Sequence, residues 1–222
     1  MEVPFTFDEA THCYQLAGGL TVPSCTRVLD HAGLVSYDMV REDILARKST
    51  IGTIVHLATH YYDSNELDWS SFTDSQVDQE NKRRVEAWAL FRAETGFVPR
   101  IIEQRYIATV NGMRFGLTVD REGLLRGKEC IVEIKTSAAV QKWYALQTAG
   151  YAMGVPDDAG SSPRARFARR RRMVVQLFPD GRYKKTDFED PRDADVFISG
   201  LHISWWKQMN GSGLKEIKEE AA

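Results

Sequence analysis

The stretch MRFGLTVDREGLLRGKECIVEIKT, from Met113 to Thr136, carries the strongest fold signal in the chain. In its first half, and in RIIEQRYIATV before the turn at Asn111-Gly112, apolar and polar residues alternate as they do in a β-hairpin. Its second half, from about Glu129 to Thr136, is apolar on both sides, which is typical of a central strand covered on both faces. The segment therefore predicts neighbouring strands at the heart of a sheet.

The flanking sequence predicts helices packed around this sheet. Before the segment, the patterns indicate a hairpin over 3–22 and helices over about 24–32, 38–47, 50–62 and 74–94. After it, they indicate a helix over 139–153, a hairpin around Pro179-Asp-Gly, a helix over 191–209 and a frayed tail from Gly211. The apolar face expected for the last helix consists of Val196, Phe197, Leu201, Trp205 and Trp206. We expect a mixed α/β fold with a helical N-terminal half, forming one domain over residues 1–222 with a C-terminal hairpin and helix over 165–209.

Composition excludes several classes of protein. The chain has 222 residues, 43% hydrophobic and 27% charged, with a formal net charge of -2. No apolar run approaches the roughly 20 residues of a membrane span, and the first residues do not form a signal peptide, so we expect a cytoplasmic protein without a membrane partner. Three widely spaced cysteines support neither a disulfide framework nor a four-cysteine metal site. An iron–sulfur cluster is thus not expected.

Two carboxylates and a lysine in the central segment suggest phosphodiester hydrolysis. The period of a strand places Glu133 and Lys135 on one face and Ile134 on the other. Asp120 ends the preceding apolar strand, at a separation that suits adjacent strands, so its carboxylate can meet that of Glu133. Oxygen ligands of this kind hold magnesium, and a nearby cation can orient the attacking water. Read alone, each residue has a plainer interpretation, such as a turn role for Asp120.

Five motifs in order resemble the RecB-like and lambda-exonuclease-like branch of the PD-(D/E)XK nucleases. They are GTIVH ending at His56, Glu103 in IIEQRY, GLTVD ending at Asp120, EIKT starting at Glu133, and QTAGY from Gln147 to Tyr151. The resemblance covers about residues 52–151. It implies a restriction-endonuclease-like fold, DNA as substrate, and one or two Mg²⁺ or Mn²⁺ ions.

The resemblance also implies roles for these residues. Asp120, Glu133 and the backbone carbonyl of Ile134 would bind the metal, and Lys135 would orient or activate water. His56 would complete or border the metal shell, although a core histidine satisfied by a backbone carbonyl is the plainer alternative. Glu103 could be a ligand of a second metal ion, could hold a site residue in place, or could be an exposed strand glutamate.

Gln147 and Tyr151 lie four residues apart on a predicted helix and therefore share a face. In the family, residues at these positions brace the active site and the DNA backbone. Thr136 and Ser137 follow the lysine and could bind a phosphate, but capping of the next helix is the simpler interpretation.

Two further segments are candidates for phosphate contact. Ser24, Thr26 and Arg27 lie in a Pro-Ser-x-Thr segment that resembles one found in phage and organellar members of this branch, where a helix start could bind a phosphate. An ordinary N-cap explains Ser24 equally well. The run PRARFARRRR, residues 163–172, includes Arg169, Arg170 and Arg171, which could neutralise DNA phosphates. A solvated, mobile loop is the alternative.

These observations predict a DNA exonuclease that acts from ends, in recombination, repair or phage DNA processing, with a possible recombination partner protein. A structure-specific or restriction-like endonuclease would use the same chemistry. A catalytically silent nucleic-acid-binding protein on the same scaffold is the alternative of another class. The motifs leave the oligomeric state and the polarity of digestion open.

Overall fold

The computed structural model describes residues 4–9, 13–35 and 42–211. Six helices are described: α1 Cys25–His31, α2 Glu42–Asp63, α3 Gln76–Thr95, α4 Tyr144–Gly154, α5 Pro163–Arg169 and α6 Asp193–Asn210. The strands are β1 Phe5–Asp8, β2 Cys13–Leu16, β3 Thr21–Val22, β4 Phe97–Val110, β5 Met113–Leu125, β6 Lys128–Lys135, β7 Arg171–Leu177 and β8 Tyr183–Phe188. The predicted mixed α/β class is confirmed.

The main sheet has five strands in the order β4-β5-β6-β7-β8. Its pairs are antiparallel except β6 and β7, which run parallel, so the sheet is mixed. The long hairpin β4–β5 turns at Asn111 and Gly112, both at positive φ, as the Asn-Gly pair predicts. A separate small sheet, β1-β2-β3, replaces the simple hairpin expected near the N-terminus.

The sheet separates two hydrophobic cores. The α4 core lies between the sheet and α1, α4 and α6, and includes Leu117, Val119, Ile131 and Phe197. The α3 core lies on the other side, against α2 and α3, and includes Trp88, Val132 and Ile134. Alternate residues of β6 thus enter opposite cores, which explains why this strand is apolar throughout.

Several predicted elements are corrected. Helix α2 continues through residues 47–50, where two helices were expected, because no proline or glycine interrupts the backbone there. Helix α4 begins at Tyr144 rather than near 139, with Trp143 as its N-cap. Residues 163–169 form a short helix instead of a loop. The predicted start at 38 and the tail beyond Gly211 lie outside the described residues.

The apolar face predicted for the last helix is correct in part. Phe197 and Leu201 are buried, and Trp205 packs against the α4 core while its ring N–H bonds the carbonyl of Arg114. Val196 and Trp206 are exposed instead. Their side chains lie outside the stripe that meets α1 and α4, because a helix buries about one face only.

Candidate active site

Strands β5 and β6 separate at the point where the predicted site residues lie. Their pairing runs from Leu125↔Lys128 to Arg121↔Val132, and β6 then continues beside β7 as far as Lys135↔Gln176. Asp120 and Glu133 are the next residues at this fork. The Oδ2 atom of Asp120 accepts the backbone N–H of Ile134 at 2.7 Å. One carboxylate oxygen therefore satisfies the backbone where the ladder ends, which orients the other oxygen.

The backbone is irregular beside the fork. Glu103 has a φ of 48°, in the left-handed region, within strand β4. Across this step the register pairs Gln104 with Val119 and Ile102 with Arg121. Val119 enters the α4 core, whereas the guanidinium of Arg121 lies 5.7 Å from the Trp88 ring of the α3 core.

Residues two apart on a regular strand share a face, so the side-chain alternation reverses at this step. Glu103 and Asp120 lie where the two cores meet. A left-handed conformation costs a residue other than glycine about 1–2 kcal/mol, and such residues concentrate at functional sites. The irregularity places both carboxylates at the fork.

His56 on α2 joins these carboxylates. Ligand atoms of His56, Glu103 and Asp120 lie within 4.8 Å of one another. The Nδ1 atom of His56 is 3.1 Å from Oε1 of Glu103 and 3.6 Å from Oδ1 of Asp120, while Nε2 is 3.2 Å from the carbonyl oxygen of Ile134. The ring therefore bonds a backbone carbonyl, as the plainer interpretation of this histidine expects, and also lies beside two carboxylates. Its place in a metal shell stays a prediction.

Glu133 and Lys135 project together from β6. The ammonium of Lys135 donates to Oε1 of Glu133 at 2.5 Å and lies 5.0 Å from the centre of the Tyr144 ring. The Oε2 atom of Glu133 is buried and has no hydrogen-bond partner among the described residues. A buried carboxylate oxygen without a partner is costly, so this atom is a candidate ligand for a cation.

Charges in this cluster shift one another's pKa. Burial, followed by the nearby carboxylate of Asp120, raises the pKa of Glu133 to about 7. Burial alone would lower the pKa of His56, but Asp120 and Glu103 outweigh it and raise that pKa to about 9. Both ring nitrogens face oxygen atoms, and a neutral imidazole can donate to just one of them. The protonated ring therefore satisfies the metal-free cluster.

The residues fit a divalent cation. Two carboxylates, an imidazole and a backbone carbonyl converge. Glu133 lies close enough to Asp120 for their charges to interact, and its unpartnered oxygen could take a further bond to the ion. Below about pH 7 both His56 and Glu133 hold a proton, and a bound metal would displace these protons because metal ligands must be deprotonated. Asp120, Glu133, His56 and the Ile134 carbonyl, with Glu103 beside them, would hold the ion.

Helix α4 contributes two buried polar residues near the fork. The amide of Gln147 donates to the hydroxyl of Tyr151 at 2.7 Å, and its own Oε1 has no partner among the described residues. Burial raises the pKa of Tyr151 well above its usual value. Gln147 is therefore not the solvent residue that the sequence alone would suggest.

A cleft of about 1150 Å³ leads away from Asp120 and Tyr151. The sequence-predicted residues Ser24, Thr26 and Arg27 line it, and Ser24 also caps α1 by accepting the N–H of Arg27. Lys207 and Gln208 of α6 line the cleft as well and were not anticipated. The cleft thus joins the first phosphate candidate segment to the site.

The other phosphate candidates are differently placed. Ser137 bonds the carbonyl of Ala139 and lies 3.4 Å from the hydroxyl of Tyr144, so the capping role suggested for it is wrong, as it is for Thr136. Arg169 pairs with Glu129 and Asp157, Arg171 pairs with Asp187, and the buried Arg170 bonds Glu129 and several backbone carbonyls. These arginines neither line the cleft nor meet the fork.

No protein-family model and no curated protein matches the sequence of this chain. Among solved structures, a Eubacterium rectale protein described as a candidate exonuclease aligns with 84% of this chain and 74% of its own, at 12% identity and a TM-score of 0.50. This likeness shows a shared fold. An alkaline exonuclease from Laribacter hongkongensis aligns with 85% of this chain and 93% of its own, at 16% identity, but its TM-score of 0.28 is too low to establish one. None of the helices that the structure describes is long and apolar enough to cross a membrane.

Proposed function

We propose that this protein is a divalent-metal-dependent deoxyribonuclease of the PD-(D/E)XK type, with Asp120, Glu133 and Lys135 at its centre. The observation that carries the proposal is the convergence of these residues with His56 and Glu103 at the fork of β5 and β6. The sequence distances between these groups are large, and a purely structural ion cluster would not need an unpartnered glutamate oxygen.

The metal proposed is Mg²⁺ or Mn²⁺, since the ligands are mainly carboxylate and carbonyl oxygens. When bound, such an ion neutralises charge at the phosphorus and activates water for attack. Lys135 holds a proton at all working pH values, because Glu133 and Asp120 outweigh burial and raise its pKa. Its ammonium can therefore orient the attacking water and offset the charge that develops on the phosphate oxygens.

The remaining residues position the substrate. Tyr151, whose hydroxyl accepts a bond from the amide of Gln147, is proposed to brace the site from α4. The cleft lined by Tyr151 and Arg27 is proposed as the path of a DNA strand. Ser24, Thr26 and Arg27 are proposed to contact phosphates along this path. We assign no DNA contact to Arg169, Arg170 and Arg171, because they lie outside this cleft and pair with carboxylates on another surface.

We further propose that the enzyme is an exonuclease acting on DNA ends, in recombination, repair or phage DNA processing. The order of the five motifs supports this, as does the fold shared with a Eubacterium rectale protein that is described as a candidate exonuclease. A restriction-like or structure-specific endonuclease would use the same cluster.

The test uses purified wild type, Asp120→Asn and Lys135→Met with linear and covalently closed circular DNA, in Mg²⁺, in Mn²⁺ and in a chelator. The expected result is progressive loss of linear DNA with wild type and metal, and intact DNA in every other sample. Arg182→Ala is the matched control, because Arg182 pairs with Asp180 on an exposed turn and should leave activity unchanged.

Three outcomes would change the proposal. Nicking or cutting of circles would replace the exonuclease by an endonuclease. Binding of DNA without cutting in either metal would favour the silent binding protein. Equal cutting by wild type and Asp120→Asn would show that the activity comes from elsewhere.

A further inference from the structure

Arg121 is a fully buried charge near the candidate site. Its side chain is 0% exposed, a state that arginine reaches almost always with partners. It donates to Asp63 at 2.5 Å, to Glu103 at 2.9 Å and to the carbonyl of Asp120 at 2.6 Å, and the hydroxyl of Thr59 accepts another bond at 3.0 Å. The guanidinium thus links α2, β4 and β5.

Asp63 anchors this arginine from behind. It is fully buried at the end of α2 and also accepts bonds from the ring N–H of Trp88 at 2.9 Å and from Arg92 at 2.6 Å. Each of these donors comes from α3, which packs beside α2. The position of Asp63 is therefore set by several contacts that do not involve the candidate metal cluster.

Glu103 accepts a hydrogen bond from the other end of the guanidinium. Its Oε1 atom accepts bonds from both Arg121 and His56, although its side chain keeps 24% exposure and its backbone is left-handed. Without these contacts, the side chain of Glu103 would gain rotamer freedom by turning towards water. Arg121 and His56 hold it at the fork.

We propose that Asp63 and Arg121 form a positioning pair that holds the Glu103 carboxylate at the metal cluster. This inference rests on the proposed function, because it assumes that the cluster binds a divalent cation. Arg121 does not touch the substrate; it acts through Glu103. The planar guanidinium of arginine, with its several donors, is required, since one lysine ammonium cannot bond Asp63, Glu103 and the Asp120 carbonyl together.

The test is Mn²⁺ binding to the DNA-free protein, measured by titration calorimetry for wild type, Arg121→Lys, Glu103→Gln and the double variant. We expect each single variant to weaken Mn²⁺ binding about 10- to 100-fold, the usual effect of residues that orient metal ligands. If Arg121 acts through Glu103, the double variant should be within about 2-fold of Glu103→Gln, since coupled residues are not additive. The Mn²⁺ concentration that half-saturates cleavage should shift in parallel, and cleavage should largely recover at saturating Mn²⁺.

The matched control is Arg100→Lys. Arg100 pairs with the buried Glu122 across the same two strands, away from the cluster, so this variant should bind Mn²⁺ as wild type does. Circular dichroism and thermal melting establish that each variant is folded at the assay temperature. If Arg121→Lys does not fold, Asp63→Asn replaces it, with the same expected loss of Mn²⁺ affinity.

The outcomes separate this inference from the proposed function. Wild-type affinity for Mn²⁺ in a folded Arg121→Lys variant would overturn the positioning pair and leave the nuclease intact. If the losses of Mn²⁺ affinity in the two single variants multiply in the double variant, the positioning pair is also overturned, because Arg121 then acts independently of Glu103. A wild type that neither binds Mn²⁺ at millimolar concentration nor cuts DNA would overturn both.

Discussion

The Oδ2 atom of Asp120 accepts a hydrogen bond from the backbone N–H of Ile134 at 2.7 Å, at the position where β5 and β6 separate. Its other oxygen lies 3.6 Å from His56. The same side chain therefore closes the backbone hydrogen bonding at the fork and lies in the cluster proposed to bind the metal. Substitutions that keep or remove the acceptor can separate these two contributions.

Asp120→Asn should keep the fold and lose the activity. The amide oxygen of asparagine can still accept the N–H of Ile134, whereas Asp120→Ala leaves that buried donor unpaired and should lower the free energy of unfolding by about 1–3 kcal/mol. Both variants lack a charged ligand, so cleavage should fall by more than about 100-fold, beyond the effect of residues that only orient ligands. Chemical denaturation and a linear-DNA cleavage assay measure the two effects, and equal stability of the two variants would contradict the capping role.

Between about pH 4.5 and pH 9, the contributions of Glu133 and His56 to the stability of the metal-free protein should fall as the pH rises. The folded pKa of Glu133 is raised to about 7 and that of His56 to about 9, so both groups stabilise the fold fully at low pH. The contribution of Glu133 is lost as pH rises from about 4.5 through 7, and that of His56 as pH rises from about 6.5 through 9.

Added Mg²⁺ or Mn²⁺ should reverse this trend. A cation displaces both protons, so the metal-induced rise in melting temperature should grow between pH 6 and pH 9. Thermal melts with chelator or with metal at several pH values check this, and His56→Gln should flatten the dependence. A metal-induced rise that is constant with pH would contradict the protonated cluster.

Lys135→Met should separate metal binding from chemistry. Its ammonium lies against Glu133 and would stand beside a bound cation, so its removal should leave Mn²⁺ affinity equal or higher. Cleavage should fall by about 10²- to 10⁴-fold, the usual range for a group that orients water or stabilises developing charge. Calorimetry and single-turnover cleavage are the measurements. Loss of Mn²⁺ binding in the folded variant would mean that Lys135 holds the cluster together instead.

Two arginines should differ in their effect on DNA binding. Arg27 lines the cleft, so Arg27→Ala should weaken binding and lower the slope of log affinity against log salt concentration by about 1. Arg169 is paired with Asp157 and Glu129, so Arg169→Ala should leave that slope unchanged. Fluorescence anisotropy with a short duplex in chelator checks both, and the opposite pattern would return the phosphate role to the arginine run.

Much of the fold was predictable because it depends on local patterns. The Asn111-Gly112 turn, the apolar strand around Ile134 and the helix that ends at Gly96 all follow from short-range conformational preferences. Helix ends were less predictable: α4 begins at Tyr144 because the segment before it makes turns over Ser137 and Ala139, which no strong breaker signals.

The site was predictable where spacing decides which face a residue occupies. The Glu-x-Lys spacing and the position of Asp120 at a strand end were enough to place these side chains near one another. The roles of Arg121 and Asp63 were not predictable, although an arginine inside an apolar segment was a possible signal. The partners of Arg121 are Glu103 and Asp63, which lie 18 and 58 residues from it in the chain, so packing of α2 and α3 decides the pairing.

The sequence by itself determined the main strands, the shared face of Glu133 and Lys135, and the order of the five motifs, because periodicity and turn preferences act over a few residues. The tertiary structure alone decided that Glu103 takes a left-handed conformation, that its strand changes cores beside Asp120, and that Arg121 holds its carboxylate. It also decided that Arg169, Arg170 and Arg171 pair with Glu129, Asp157 and Asp187. Charges find their partners through the packing of distant segments, and that information is not contained in local patterns.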